Sequence, residues 1–383
     1  MINIALLGCT GSIGRQVLAV VDRYPEKFKI VSMAAGSNAA LFTEQINKYK
    51  PEIACLADSE KAPYITEIPK NTSVYYGEKS IIHAVTEKAD IVFDAVMGFA
   101  GMAGVIEALK LKKTVCLANK ETLVVGGGLI MPMAKKAGVE IVPVDSEHSA
   151  IWQCLSFEKN KRFRKIIITA SGGAFREMPI DKLNLVTAQD ALRHPTWQMG
   201  KKITVDCATM VNKGFEVLEA MWLFNASIND IDVVIHKQSI IHSMVEFDDG
   251  SIMAQMANPS MEIPIQLALT YPEKIETNLP PLSLVGKNLT FEAVDNERYP
   301  CFEIVKEAIK KGGVYPCAIS GADEEAVKLF LNGKISYTDI ATYLSYALKN
   351  TENVELTFEN LNYVDKNARR LVRELYQKRS QRC

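Results

Sequence analysis

The run Val144-Asp145-Ser146-Glu147-His148 closes an apolar stretch with two carboxylates one residue apart. In extended backbone residues i and i+2 point to the same side, so Asp145 and Glu147 would converge on one cation. Two carboxylates suit a hard, oxygen-seeking ion, Mg²⁺ or Mn²⁺, with Co²⁺ a further candidate. The same letters also read as a capped helix, with Asp145 or Ser146 capping His148–Leu155 and Glu147 in its first turn. A third carboxylate stands in Asn212-Lys213-Gly214-Phe215-Glu216. Spacings of three and four put Asn212, Lys213 and Glu216 on one helix face, a carboxylate for a metal beside an ammonium for a phosphate. An ordinary amphipathic helix with a solvated Lys–Glu pair would show the same pattern.

Three further stretches carry polar groups. In Leu117-Ala118-Asn119-Lys120-Glu121 a strand runs into Asn119, Lys120 and Glu121, at the strand end where open parallel sheets bind ligands; Asn119 as a helix cap is the alternative. Ser171-Gly172-Gly173 offers a hydroxyl and backbone N–H groups to a phosphate. It opens an irregular segment, 171–201, that contains His194-Pro195-Thr196-Trp197 and reads as a lid closing over substrate. Gly8-Cys9-Thr10-Gly11-Ser12-Ile13-Gly14 follows an apolar strand and opens a helix, the context in which glycines let a pyrophosphate approach a helix N-terminus. The second strand ends Gly36-Ser37-Asn38, without the acid that would bind ribose hydroxyls and repel a 2′-phosphate, which favours NADPH over NADH.

These groups need a scaffold. Over residues 1–145 short apolar runs (Ile2–Leu7, Ile30–Ala34, Ile53–Leu56, Ile91–Asp94, Thr114–Ala118, Glu140–Val144) alternate with helical patterns (Ser12–Asp22, Ala39–Tyr49, Gly104–Lys110). That alternation predicts a doubly wound, Rossmann-like parallel sheet. Residues 146–270 read as a second α/β domain with an open-faced sheet: strands at 165–169, 232–236, 243–247 and 251–256, an Asp249-Gly250 hairpin turn, and a helix over 212–223. Pro272, Pro280 and Pro281 mark 271–296 as a linker. Residues 297–383 read as an α-helical bundle with helices over 301–311, 321–331, 336–349 and 358–378.

Composition narrows the class. A chain of 383 residues with 48% hydrophobic and 23% charged residues is a multidomain globular protein. A net charge of −1 argues against a general nucleic-acid or membrane binder. Eight scattered cysteines without a C-x-x-C pair are expected to be reduced thiols in a cytoplasmic protein. The apolar N-terminus lacks a basic leader and is expected to be a strand rather than a signal peptide. No apolar stretch reaches the roughly eighteen residues of a membrane span. His236 and His242 flank Lys237-Gln238-Ser239 and would line the pocket or a subunit interface; His83 is expected to be structural.

Together LANKETLV, PVDSEHSAIWQCL, ASGGAFRE, RHPTWQMGKKITVD, ATMVNKGFEVLEA and IIHSMVEFDDGS make the chain resemble 1-deoxy-D-xylulose 5-phosphate reductoisomerases over essentially its whole length. The resemblance implies NADPH- and metal-dependent rearrangement and reduction of 1-deoxy-D-xylulose 5-phosphate to 2-C-methyl-D-erythritol 4-phosphate, a step of non-mevalonate isoprenoid synthesis, by a homodimer. It implies Asp145, Glu147 and Glu216 as metal ligands. Lys120 and Ser146 would contact the substrate. Ser171, Cys207, Asn212 and Lys213 would hold its phosphate. His194 would approach from the lid, with Trp197 covering the methyl end. Thr10, Gly11, Ser12, Ile13, Gly36, Asn38, Asn119, Glu121 and Gly200 would contact NADPH. A plain NADPH dehydrogenase would have no use for the three carboxylates, and a non-catalytic NADPH sensor none for Lys213 and a lid. Three positions depart from the family pattern: Cys9 and Cys207 each replace a common Ser, and Lys237 a common Pro. At 207 a thiol is a weaker, longer donor to phosphate than the hydroxyl it replaces.

Overall fold

The computed structural model describes residues 1–158, 162–193, 196–197 and 199–381. The chain folds into two compact units. The first comprises Met1–Thr122, Ile130–Ser149 and Ser260–Leu279, and the second Leu123–Leu129, Ala150–Pro259 and Pro280–Cys383.

The first unit is built on a parallel sheet of β1 (Ile2–Leu7), β2 (Phe28–Ala35), β3 (Ile53–Leu56), β4 (Ser73–Tyr76), β5 (Ile91–Asp94), β6 (Thr114–Leu117) and β7 (Ile141–Pro143). Its order is β4-β3-β2-β1-β5-β6-β7. The order reverses at β1, so the crevice for a ligand lies beyond the carboxyl ends of β1 and β5. Ile4, Leu6, Leu7, Val92, Phe93 and Val115 are fully buried, as strands covered on both faces require. The doubly wound sheet is the one the strand–helix alternation predicts. β4 was not legible there: its residues are mostly exposed and form no apolar run.

The second unit contains a mixed sheet, order β11-β10-β8-β9-β12, from β8 (Lys165–Ala170), β9 (Ile231–Ile235), β10 (Ile241–Glu246), β11 (Ile252–Met256) and β12 (Glu292–Ala293). Gly250, at φ +82°, turns the β10–β11 hairpin. The helices Lys201–Thr209 and Val211–Phe224 belong to this unit, as do Pro300–Lys311, Tyr315–Leu331, Asp339–Asn350 and Phe358–Ser380.

This division differs from the one the sequence suggests. The helix Glu262–Thr270 and the residues after it belong to the nucleotide-fold unit rather than to the second domain and a linker. Glu262 ion-pairs with Arg23, and the Ala268 carbonyl accepts from the Cys116 thiol at 3.3 Å. The C-terminal helices fall within the second unit. Tyr337 donates its hydroxyl to the Ala208 carbonyl at 2.6 Å, and Lys202 meets Asp323 at 2.8 Å. A Cβ on Gly214 would come within 2.6 Å of Val305. These contacts brace the two helices that carry Cys207, Asn212, Lys213 and Glu216. Among the described residues no helix is long and apolar enough to cross a membrane.

Candidate functional site

In the first unit the glycine turn is fixed by close packing. Gly8 sits at φ +86°, and a Cβ there would lie 2.5 Å from the Ala95 carbonyl oxygen. A Cβ on Gly14 would lie 2.2 Å from the Gly8 carbonyl oxygen. The helix Ser12–Arg23 starts from Gly11 with no side-chain cap, so its first N–H groups face outward for an anion. Thr10, Gly11, Ser12 and Ile13 line that start and are half-buried or exposed. Cys9 is fully buried, and burial drives its thiol well above the usual range; it is a packing residue. Gly36 is exposed, and a Cβ there would meet nothing within 4 Å. Asn38 caps the helix Ala39–Tyr49 by accepting from the Leu41 N–H at 3.2 Å.

At the end of β6, the helix Glu121–Ala137 begins after Lys120, so Asn119 is not its cap. The Asn119 amide instead donates to the Gly98 carbonyl at 3.0 Å and to Asp94 at 3.4 Å. Asp94 is a residue that sequence reasoning missed, seen only as the end of a strand. Burial raises its carboxyl to about 7, offset in part by the Val96 N–H and the Asn119 amide, while Glu121 pushes the same way as burial. The folded value lies above the unfolded one. The stabilisation from the protonated acid is therefore complete below about pH 4 and is lost as pH rises through 7. Melting temperature is expected to fall by several degrees from pH 5 to pH 8, and Asp94→Asn to flatten that slope in thermal melts. An unchanged slope would show that Asp94 is not the titrating group.

Lys120 is 6% exposed and ion-paired with Asp145. Asp145 does not lie in a strand. β7 stops at Pro143, the helix Ser146–Leu155 follows, and the Asp145 carbonyl accepts the Ser149 N–H at 2.8 Å. The strand geometry expected for Asp145 and Glu147 is thus corrected to a helix start, where Asp145 Oδ1 also accepts the Ser146 N–H at 3.1 Å. The two acids still converge: each offers an oxygen within 4.8 Å of the other's. Ser146 donates its hydroxyl to Glu147 Oε2 at 2.5 Å. His148, fully buried, places Nδ1 3.8 Å from Asp145 Oδ2.

In the second unit Asn212, Lys213 and Glu216 are all buried, which rules out the solvated pair. Lys213 donates to the Thr169 carbonyl at 2.6 Å and to Glu216, and Asn212 donates to Glu216 at 2.6 Å. The helix face therefore stands at the end of β8. Ser171-Gly172-Gly173 follows β8, with Gly172 at φ +80° and Gly173 at φ +71°. A Cβ on Gly173 would lie 2.4 Å from Ala208 Cα. The loop thus abuts the end of the helix Lys201–Thr209, where Cys207 is half-buried. Gly200 is the residue that opens this helix. Trp197 is half-buried with its ring edge-on to His242 at 6.0 Å. His194 lies outside the described residues. His236 is structural: its Nε2 accepts two backbone N–H groups, from Ile240 and Ile241, and its Nδ1 lies 2.9 Å from the Thr290 carbonyl. His83 stacks on Tyr75 at 4.3 Å.

A switch-point glycine turn, a buried Lys–Asp pair and a pair of converging carboxylates, in a chain that also carries a buried Asn–Lys–Glu helix face, define a nucleotide-dependent α/β oxidoreductase. The family model of 1-deoxy-D-xylulose 5-phosphate reductoisomerase matches residues 4–127, and models of its C-terminal domains match 141–224 and 256–371. The chain is 46% identical to 1-deoxy-D-xylulose 5-phosphate reductoisomerase of Halalkalibacterium halodurans, over 98% of this chain and 100% of that protein. It is 43% identical to that of Thermosynechococcus vestitus, over 97% and 92%. A crystal structure of DOX-P reductoisomerase in complex with NADPH, fosmidomycin and magnesium superposes with a TM-score of 0.94, at 33% identity and 100% coverage of both chains. The Zymomonas mobilis enzyme in complex with NADPH gives 0.90 at 34% identity, covering 98% and 99%. The chain belongs to the 1-deoxy-D-xylulose 5-phosphate reductoisomerase family.

Proposed function

We propose that this chain converts 1-deoxy-D-xylulose 5-phosphate to 2-C-methyl-D-erythritol 4-phosphate with NADPH and Mg²⁺, and that Mn²⁺ or Co²⁺ substitutes for Mg²⁺. The observation that carries the reading is the full-length likeness to a reductoisomerase solved with NADPH, fosmidomycin and magnesium.

The residues present fit both groups. Asp145 and Glu147 supply converging oxygens, and Glu216 would complete an all-oxygen donor set suited to a hard cation. The uncapped helix start at Ser12 fits a pyrophosphate. When bound, the cation would supply Lewis acidity at the substrate's carbonyl and hydroxyl oxygens, and NADPH the hydride.

Thr10 to Ile13 would bind the pyrophosphate, Gly36 and Asn38 the adenosine end, and Asn119, Glu121 and Gly200 the rest of the dinucleotide. Lys120, already aligned by Asp145, would steady substrate oxygens, and Ser146 would hold both Glu147 and substrate. Ser171, Cys207, Asn212 and Lys213 would grip the phosphate, so that remote binding energy fixes the reacting carbons. His194 and Trp197, on a lid spanning 171–201, would exclude water. Ile252 and Met253 on the edge strand β11 are 56% and 40% exposed, which supports a homodimer pairing along that edge. A cytoplasmic location suits the described cysteines, which are thiols rather than disulfides.

A chelator is expected to abolish NADPH oxidation with this substrate, and Mg²⁺ or Mn²⁺ to restore it. Chelator-resistant turnover would sink the metal assignment.

A further inference from the structure

The loop Ser171-Gly172-Gly173 joins two glycines, the residues whose peptides flip most easily. A flipped peptide would point a carbonyl oxygen, not an N–H, at an anion. Two side chains oppose that flip. Arg176 donates from one guanidinium nitrogen to the Ser171 carbonyl at 2.9 Å and to the Lys237 carbonyl at 3.0 Å. Tyr299 donates its hydroxyl to the Gly172 carbonyl at 2.9 Å. Its neighbour Arg298 extends the clamp, donating to the carbonyls of Phe175 at 2.9 Å and Met178 at 2.6 Å. On the outer side Lys237 bridges Glu177 at 3.0 Å and Glu292 at 2.8 Å, which gives this departure from the family pattern a structural part in the same clamp.

We propose that Tyr299 and Arg176 are positioning residues for the substrate's phosphate: by holding successive carbonyls of the 171–173 loop they fix the Gly172 N–H for the anion and keep the Gly173 N–H on Ser171 Oγ at 3.2 Å, which orients that hydroxyl toward it. The proposal rests on the reading that Ser171, Asn212 and Lys213 hold the phosphate. Tyr299 is well suited to hold a carbonyl. It is 4% exposed, and burial pushes its hydroxyl up to about 12, so it stays a donor throughout the working pH range. With Arg176 guarding the peptide before Gly172 and Tyr299 the one after it, loss of either would free one peptide of the pair.

The test compares wild type, Tyr299→Phe and Ser171→Ala as full-length, Mg²⁺-loaded protein. Three constants are read: KM for the sugar phosphate, KM for NADPH, and the inhibition constant of inorganic phosphate competing with the sugar phosphate. Tyr299→Phe is expected to raise the first and third by the same factor, roughly three to ten for one buried hydrogen bond. KM for NADPH should stay at its wild-type value, and the melting temperature should fall by no more than a few degrees. The proposal is overturned if neither phosphate-linked constant moves, or if all three rise together with a lowered melting temperature. Ser171→Ala separates the two layers. If it raises both phosphate-linked constants while Tyr299→Phe does not, only the clamp fails. If Ser171→Ala changes neither, the phosphate lies elsewhere and the clamp falls with the reading beneath it.

Discussion

Asp145→Asn is expected to lower kcat/KM by about a thousandfold and to shift the Mg²⁺ dependence to higher concentration, because Lewis-acid assistance contributes several kcal/mol to such barriers. Asp145 holds two roles. It would donate an oxygen to the cation, and it already neutralises Lys120, whose ammonium is almost wholly buried. Removing one partner of a buried pair destabilises strongly, so a loss of activity in this variant alone would mix two effects. Glu147→Gln separates them, since Glu147 accepts from the Ser146 hydroxyl and its replacement leaves both members of the Lys120–Asp145 pair in place. Glu147→Gln should keep the wild-type melting temperature and still lose at least roughly a hundredfold in rate. Metal titrations followed by NADPH absorbance check both variants. Activity near wild type and an unchanged Mg²⁺ midpoint would remove these carboxylates from the metal site.

Gly14→Ala is expected to be the most damaging single methyl in the nucleotide-fold unit. Its Cβ would stand 2.2 Å from the Gly8 carbonyl oxygen and 2.7 Å from Cys9 Cα, both backbone. No rotamer relieves a backbone clash, so either the glycine turn moves away from the helix start or the helix shifts. Overpacking of this kind costs about 1–3 kcal/mol, and displacement of the anion-binding N–H groups should raise the dissociation constant for NADPH by on the order of 100-fold. Gly36→Ala is the contrast, because a Cβ there meets nothing and the fold should be untouched. Fluorescence titration with NADPH, paired with thermal melts, reads both. Wild-type affinity in Gly14→Ala would mean that the turn does not receive the cofactor.

What the sequence made legible follows from which forces are local. The glycine turn could be read from letters because steric exclusion acts within a few residues, and β1, β3 and β5 because a strand buried on both faces is a mostly apolar run. The helix Glu121–Ala137 was obscured by Gly126-Gly127-Gly128, which propensity disfavours. The reason lies far along the chain: a Cβ on Gly127 would be 2.3 Å from the Trp222 indole nitrogen. Asp94, Arg176 and Tyr299 were invisible for the same reason, since each acts through a backbone or side chain that only folding brings near. The acidic pair was legible as converging but with the wrong backbone, because a helix start and a strand end can both bring two such acids together. Family motifs supplied the roles that spacing alone left open at Asn119, Ser146 and Cys207.

The most direct test of the central claim is the product itself. Full-length protein with Mg²⁺, NADPH and 1-deoxy-D-xylulose 5-phosphate should form one 2-C-methyl-D-erythritol 4-phosphate, seen by NMR as a branched methyl carbon, for each NADPH oxidised. NADPH consumed with the carbon chain left unbranched would make this a plain dehydrogenase and contradict the account, as would the absence of any turnover by the metal-loaded protein.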